Sequence, residues 1–319
     1  MTGTVPAGSS LVLDSVSYDV RDHVATITLS RPERLNAFTD ATESDLVSCF
    51  EQAAADDEVR VVVLTAEGRA FCAGMHLAEA ATATEVFAGW RTSPTAPPGT
   101  VFEGVPGEEL PVRLDGGGRV ALSMWDCPKP VIAAVNGPAV GVGATMLLPA
   151  DIRLAADTAT FAMPFTRLGL SPESCSSWFL PRLVGPQQAL EWLLTGRRFG
   201  AAEALAAGLV RSLHPPDELL DAARVLAAEI AAAAPVSVAV TRRLVWRMLA
   251  AAHPVQAHRA ETLALNRRGV GADARDGIPA FLEKRAAVFT DRVGEVLPSL
   301  TEGLPAEPER GRPGAGTSS

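Results

Sequence analysis

The stretch of this chain best suited to chemistry is VIAAVNGPAVGVGATMLLPADIRLAA, residues 131–156. A β-branched apolar run, Val131 to Val135, meets Asn136, Gly137 and Pro138; Gly141 and Gly143 follow, and an apolar segment resumes at Ala144. A strand that ends in a glycine-rich turn and leads into a helix presents backbone N–H groups at the positive end of that helix. Such groups suit an anion or a developing oxyanion. The spacing is not G-x-G-x-x-G and no Walker lysine follows, so nucleotide phosphate is not the expected guest. An ordinary turn between a strand and a helix reads equally well from the same residues. No metal is expected, because H-E-x-x-H and similar spacings are missing. No G-x-S-x-G elbow supports a serine hydrolase. His23, His214, His253 and His258 have no recognisable triad partners. Cys175 reads as a small buried filler.

The elements that must position this turn follow from periodicity. Residues 12–22 and 23–29 read as strands, with Ala25, Ile27 and Leu29 on one face. Asp40 with Glu43 has the form of a capping box, and Leu46, Cys49, Phe50 and Ala53 form a helical stripe. Val59 to Ala66 is a further strand, and residues 78–90 read as a helix. Proline and glycine punctuate residues 92–118, which predicts a long loop acting as a lid over the site. A helix is expected from Arg119 to Cys127, before the strand at Val131. The second half turns helical, over 189–199, 201–210, 217–233 and 236–251, with a last helix near Gly277–Asp291. This divides the chain into a free N-terminus at 1–10, an α/β core at 11–200, a helical region at 201–299 and a free tail at 300–319.

The 319 residues carry a net charge of −9, which argues against nucleic acid as a partner. No apolar run reaches the ~18–20 residues of a membrane helix, and the first residues lack the pattern of a signal peptide. Cys49, Cys72, Cys127 and Cys175 form no C-x-x-C pair, so reduced thiols and a cytoplasmic location are expected. Lysine occurs only at Lys129 and Lys284 amid abundant arginine, a bias expected of GC-rich bacterial coding.

Four segments in order, ITLSRPERLNAF, VVVLTAEGRAFCAGMHL, KPVIAAVNGPAVGVGA and TGRRFGAAEALAAGLV, together with AFLEKRAAVF, resemble the crotonase (enoyl-CoA hydratase/isomerase) superfamily. The resemblance covers roughly residues 11–291. It implies an α/β spiral of ββα units with C-terminal helices, assembled as a homotrimer or a homohexamer, that binds an acyl-CoA and stabilises a thioester enolate. It also implies an oxyanion hole of two backbone N–H groups, at Met75 after the Ala73–Gly74 turn and at Val142 beside Gly141.

Hydratases of this superfamily use two glutamates; the matching positions are Thr145 and Phe165. Neither a hydroxyl nor a phenyl ring replaces a carboxylate that must activate water. LGLSPESCSSWFLPRLVG, residues 168–185, instead resembles the peroxisomal-type Δ3,Δ2-enoyl-CoA isomerases. That resemblance makes Glu173 the single base for a proton shift from C2 to C4. The same glutamate could also cap the following helix. The reaction expected is therefore enoyl-CoA isomerisation in fatty-acid metabolism. The alternatives are another enolate reaction (hydration, thioester hydrolysis or decarboxylation) or acyl-CoA binding without turnover. No cofactor is expected beyond the coenzyme A of the substrate. Arg34, Leu35 and Lys284 are the expected CoA contacts, with Arg285 beside Lys284. His76 and Leu77 follow the oxyanion turn; His76 is an acid–base candidate, a CoA contact, or a polar residue at a helix start. Trp125 and Trp178 are wall residues of an acyl tunnel or core aromatics.

Overall fold

The computed structural model describes residues 10–76, 101–102 and 112–301. Strands β1 (Ser10–Val12), β2 (Val16–Arg21), β3 (Val24–Leu29) and β4 (Val61–Ala66) come first, with helix α1 (Asp40–Ala55) between the last two. A small hairpin, β5 (Val101–Phe102) and β6 (Val112–Arg113), precedes α2 (Gly116–Asp126). Then come β7 (Val131–Val135), β8 (Ala139–Val140), α3 (Val142–Thr145), β9 (Ile152–Ala156) and β10 (Thr160–Ala162). Helices α4 (Ser176–Val184) and α5 (Pro186–Thr195) lead to β11 (Arg198–Gly200), α6 (Ala201–Ala206) and β12 (Ser212–His214). The rest is helical: α7 (Leu219–Ala231), α8 (Pro235–Met248), α9 (Pro254–Gly269), α10 (Ala272–Glu283) and α11 (Val293–Thr301).

The main sheet has the order β1-β2-β3-β4-β7-β9-β12. It is antiparallel from β1 to β3 and parallel from β3 onward. Every residue of β4 and β7 is buried, as continuous apolar runs covered on both faces must be. A smaller sheet, β11-β10-β8, stands beside it. The α/β architecture expected from the sequence is the one found.

Several local expectations change. The strand expected over 12–22 is two strands, because Leu13 N–H donates to Val16 O at 2.9 Å and turns the chain back. The cap of α1 is Thr39, whose side chain accepts Thr42 N–H at 3.2 Å, not Asp40; the Glu43 carboxylate pairs instead with Arg119 on α2. Helix α2 begins three residues before the expected start, at Gly116, capped by Asp115. The last expected helix is divided: α10 stops at Lys284 in a left-handed conformation, and α11 restarts at Val293. Helix α9 was not foreseen. The boundary expected at residue 200 also moves, since β12 joins the main sheet and α7 packs across β3, β4, β7 and β9. A separate small core, Val236, Ala239, Val240, Ala264, Val293 and Leu297, begins only with α8. Residues 1–9, 302–319, 78–90 and most of the proposed lid lie outside the described residues.

One buried ion pair fixes the helical region to the core. Asp151, just before β9, accepts Val131 N–H at 2.8 Å, Arg242 Nε at 2.7 Å and Trp246 Nε1 at 2.7 Å. Arg242 also donates to the carbonyls of Trp125, Cys127 and Met124. Removing one partner of such a pair strands the other charge. Asp151→Ala is expected to destabilise the fold by about 3 kcal/mol, read as a lowered midpoint in urea denaturation.

Candidate active site

Two loops bring the backbone donors together. Phe38 N–H donates to Gly74 O at 2.8 Å, His76 N–H to Phe38 O at 3.0 Å, and Ala73 N–H to Leu35 O at 3.0 Å. The Arg34–Leu35 turn is thereby bonded to the Ala73–Gly74–Met75–His76 turn. Val140 N–H donates to Cys72 O at 2.9 Å, and Gly141 N–H to Ala162 O at 2.9 Å, so the glycine run lies between that turn and β10. Gly141 adopts φ 54°, ψ −124°, a conformation open to glycine, and starts α3 at Val142. Among the described residues the Met75 and Val142 N–H groups have no backbone acceptor. They are the two amides that the resemblance assigns to the oxyanion hole, and both remain available as donors.

Glu173 lies against this turn. Thr145 Oγ1 donates to its Oε1 at 2.5 Å, and Ser174 Oγ donates to its Oε2. Ser174 and Cys175 both have left-handed backbones, φ 54° and 55°, a conformation that costs non-glycine residues of order 1 kcal/mol each. Asp115 Oδ1 accepts Ser174 N–H at 3.2 Å and Gly118 N–H at 2.5 Å, so the cap of α2 also braces the left-handed turn. The Asp115 and Glu173 carboxylates therefore engage the same residue, Asp115 through the Ser174 N–H and Glu173 through the Ser174 hydroxyl.

Gly117 closes the space from above. A Cβ there would strike the Glu173 carboxylate, the Ser174 hydroxyl and a Val142 methyl, so Val142 and Glu173 flank the same small space. Burial pushes the Glu173 carboxyl up to about 7; the Ser174 and Thr145 hydrogen bonds oppose this, and the Asp115 carboxylate adds to it. A half-buried carboxylate poised near neutrality can take a proton from a carbon next to a thioester carbonyl.

The structure therefore joins Leu35, Ala73, Gly74, Met75, His76, Gly141, Val142 and Glu173 in neighbouring segments. Phe165 is buried three residues beyond β10. Arg34 is exposed on its turn. Lys284 is exposed at the end of α10, with no described contact to the site, and the Arg285 guanidinium is held by Asp276 at 2.6 Å and Glu283 at 2.8 Å. Trp178 sits in an aromatic cluster with Trp125, Phe179 and Trp246, with Arg182 3.9 Å from its ring centre. Leu77 lies outside the described residues. Among the described residues no cluster of three or more His, Cys, Asp or Glu side chains is placed to hold a metal ion. Sequence reading missed Asp115 and Gly117; the signal available was D-G-G-G at a helix start, three residues without side chains where a close approach is needed.

The sequence profile described as enoyl-CoA hydratase/isomerase matches residues 19–93 and 119–292. The chain belongs to the enoyl-CoA hydratase/isomerase family. It is thus a member of the crotonase superfamily, as its segments implied. It is 38% identical to an enoyl-CoA hydratase of Alternaria alternata over 276 residues, 86% of this chain and 85% of that one. It is 33% identical to the 1,2-epoxyphenylacetyl-CoA isomerase of Escherichia coli over 292 residues, 88% of this chain and 100% of that one. A crystal structure of a probable enoyl-CoA hydratase/isomerase from Mycobacterium abscessus superposes with a TM-score of 0.74 at 33% identity, covering 88% of this chain and 100% of that one. These relatives establish an acyl-CoA enzyme family and leave the reaction to the residues at the site.

Gly117→Ala separates site geometry from helix stability in this family member. The alanine gains up to about 1 kcal/mol of helix propensity yet pushes on the Glu173 carboxylate. Turnover of an enoyl-CoA is expected to fall by about 10²-fold, the effect of a misplacement near 1 Å, with the melting temperature changed by no more than about 3 °C. Steady-state kinetics and a thermal melt on the same sample test this.

Proposed function

We propose that this protein isomerises a 3-enoyl-CoA to the 2-enoyl-CoA, with Glu173 as the sole base. The observation that carries this reading is the position of Glu173, hydrogen-bonded by Thr145 and sharing the space at Gly117 with the Val142 side chain. The thioester oxygen accepts from the Met75 and Val142 N–H groups, which favour the enolate over the neutral thioester. Glu173 takes the proton from C2, the electron pair moves through the thioester to oxygen, and the same proton is returned at C4. Thr145 and Phe165 stand where hydratases place carboxylates. Thr145 serves Glu173 as a hydrogen-bond donor, and Phe165 contributes apolar surface. No group beyond the coenzyme A of the substrate is needed for this shift.

Hydration is the second reading, favoured by the names of several relatives. The two readings separate in parallel assays on 3-enoyl-CoA and 2-enoyl-CoA. Glu173→Gln should lower isomerisation by roughly 10²–10⁴-fold with product-CoA affinity retained, and Thr145→Glu should not create efficient hydration. The wild-type kcat/KM should fall about tenfold per pH unit below about 7, because protonated Glu173 cannot accept the C2 proton. Near-wild-type isomerisation by Glu173→Gln would overturn the proposal.

We also propose a homotrimer or a dimer of trimers. The helical region leaves Leu265, Ile278, Phe281 and Leu282 exposed, a surface that a second copy would cover. Light scattering at micromolar concentration is expected to give three or six times the chain mass; a stable monomer would count against it.

A further inference from the structure

The proposed reaction uses one carboxylate, but the site holds two. Asp115 and Glu173 are 58 positions apart in the chain, and their carboxylates meet at Ser174, Asp115 on its N–H and Glu173 on its hydroxyl. Among the described residues no basic side chain bonds to either. Two oxygens that can only accept hydrogen bonds repel each other unless a proton lies between them. The other titratable groups around the pair do not supply one readily. Burial pushes the Cys72 thiol up to about 12 and raises the Cys175 thiol. Glu43, behind Gly116, is engaged by Arg119. Among the described residues the remaining hydrogen-bond partners are the Thr145 and Ser174 hydroxyls and the Ser174 and Gly118 backbone N–H groups.

Asp115 is also fixed in place. It caps α2 through Gly118 N–H and braces the left-handed Ser174 through its N–H, and Gly117 leaves room for the Glu173 carboxylate beside Ser174. A cap residue whose only task was to end a helix would not need a second anchor on the turn carrying the base.

We propose that Asp115 is the positioning residue for Glu173: it holds the left-handed turn that aims the base, and its charge keeps the abstracted proton on Glu173 until its return at C4. The inference rests on Glu173 being the base. The neighbouring Asp115 charge makes Glu173 the stronger base. No proton is created or lost: the pair gains one at abstraction and gives it back at C4. The active form is the pair without the proton, so its macroscopic titration governs the acid side of the rate profile.

Asp115→Asn keeps the oxygen that accepts from Gly118 and Ser174 and a good helix cap, and replaces the other oxygen and its charge by a neutral NH2 donor. Asp115→Ala removes both. Each protein is followed by the pH profile of kcat/KM on a 3-enoyl-CoA. The free protein is also followed by infrared titration of the protonated carboxyl band, which is assigned to Glu173 by its loss in Glu173→Gln. For Asp115→Asn the expected result is an unchanged fold and a KM within about threefold. Its kcat should be lower by roughly tenfold, and both the acid limb and the infrared midpoint should move about one pH unit downward, the size of a typical charge effect on a neighbouring group. Asp115→Ala should lose more activity, because the turn is freed as well. An Asp115→Asn protein whose acid limb and infrared midpoint stay at the wild-type values would overturn the proposal and leave Asp115 as a helix cap alone. If the infrared midpoint moves but neither protein isomerises 3-enoyl-CoA, the carboxylate pair stands and the isomerase reading fails.

Discussion

A carboxylate taken out of water resists ionisation unless hydrogen bonds replace the water it loses. Glu173 is under that constraint, and much of this structure answers it. Each oxygen receives one hydroxyl, from Thr145 and from Ser174, enough to keep the charged form accessible. The burial that remains, with a second carboxylate alongside, holds the group near neutrality rather than in the range of an exposed glutamate. A base in that state accepts a weakly acidic carbon-bound proton and gives it back. A fully solvated one would be too weak, and a fully buried one would stay protonated.

The scaffold supplies the geometry through rigid parts. The Met75 and Val142 amides, proposed as the oxyanion donors, lie on turns tied to β8, β10 and the Phe38 segment, so no side-chain rotamer has to be frozen to present them. The base is held by a left-handed pair, Ser174–Cys175, that is unfavourable by itself. It persists because the cap of α2 grips it from the other side. Gly117 shows what this closeness requires, since even one methyl group would displace the carboxylate. Helix propensity is given up at the start of α2 so that the two segments can touch.

Aromatic packing then links the site helices to the rest. Trp125 on α2 meets Trp178 and Phe179 on α4 at ring-centre distances of 5.4 Å and 5.5 Å, and Trp246 on α8 at 5.1 Å. Trp246 is in turn bonded to Asp151 at the foot of β9. The helices that carry Asp115 and follow Glu173 are therefore clamped to each other and to the helical region through one cluster. Trp178, a candidate for the acyl wall from its place in the chain, is a member of that cluster.

Much of this was legible in the chain. Apolar runs and alternation are local properties, so β3, β4, β7 and the stripe of α1 could be read from residue spacing, because burial of one face dictates the pattern. The glycine turn at 141–143, the Ala73–Gly74 turn and Glu173 in its S-P-E setting were likewise legible, since each is a short segment whose shape its own residues impose. What joins distant segments was not. The Asp14–Ser15 reversal hid inside one alternating run, and Glu43 looked like a cap until Arg119 claimed it. Thr145 looked like an empty hydratase position until it became the donor to Glu173. The triple glycine before Arg119 looked like loop punctuation, and Asp115 drew no notice. A polar side chain's partner depends on which segments packing brings within 3 Å, and the period of the sequence carries no record of that. The sequence by itself determined the strands and the turns; only the tertiary structure decided what surrounds Glu173 and so how readily it holds a proton.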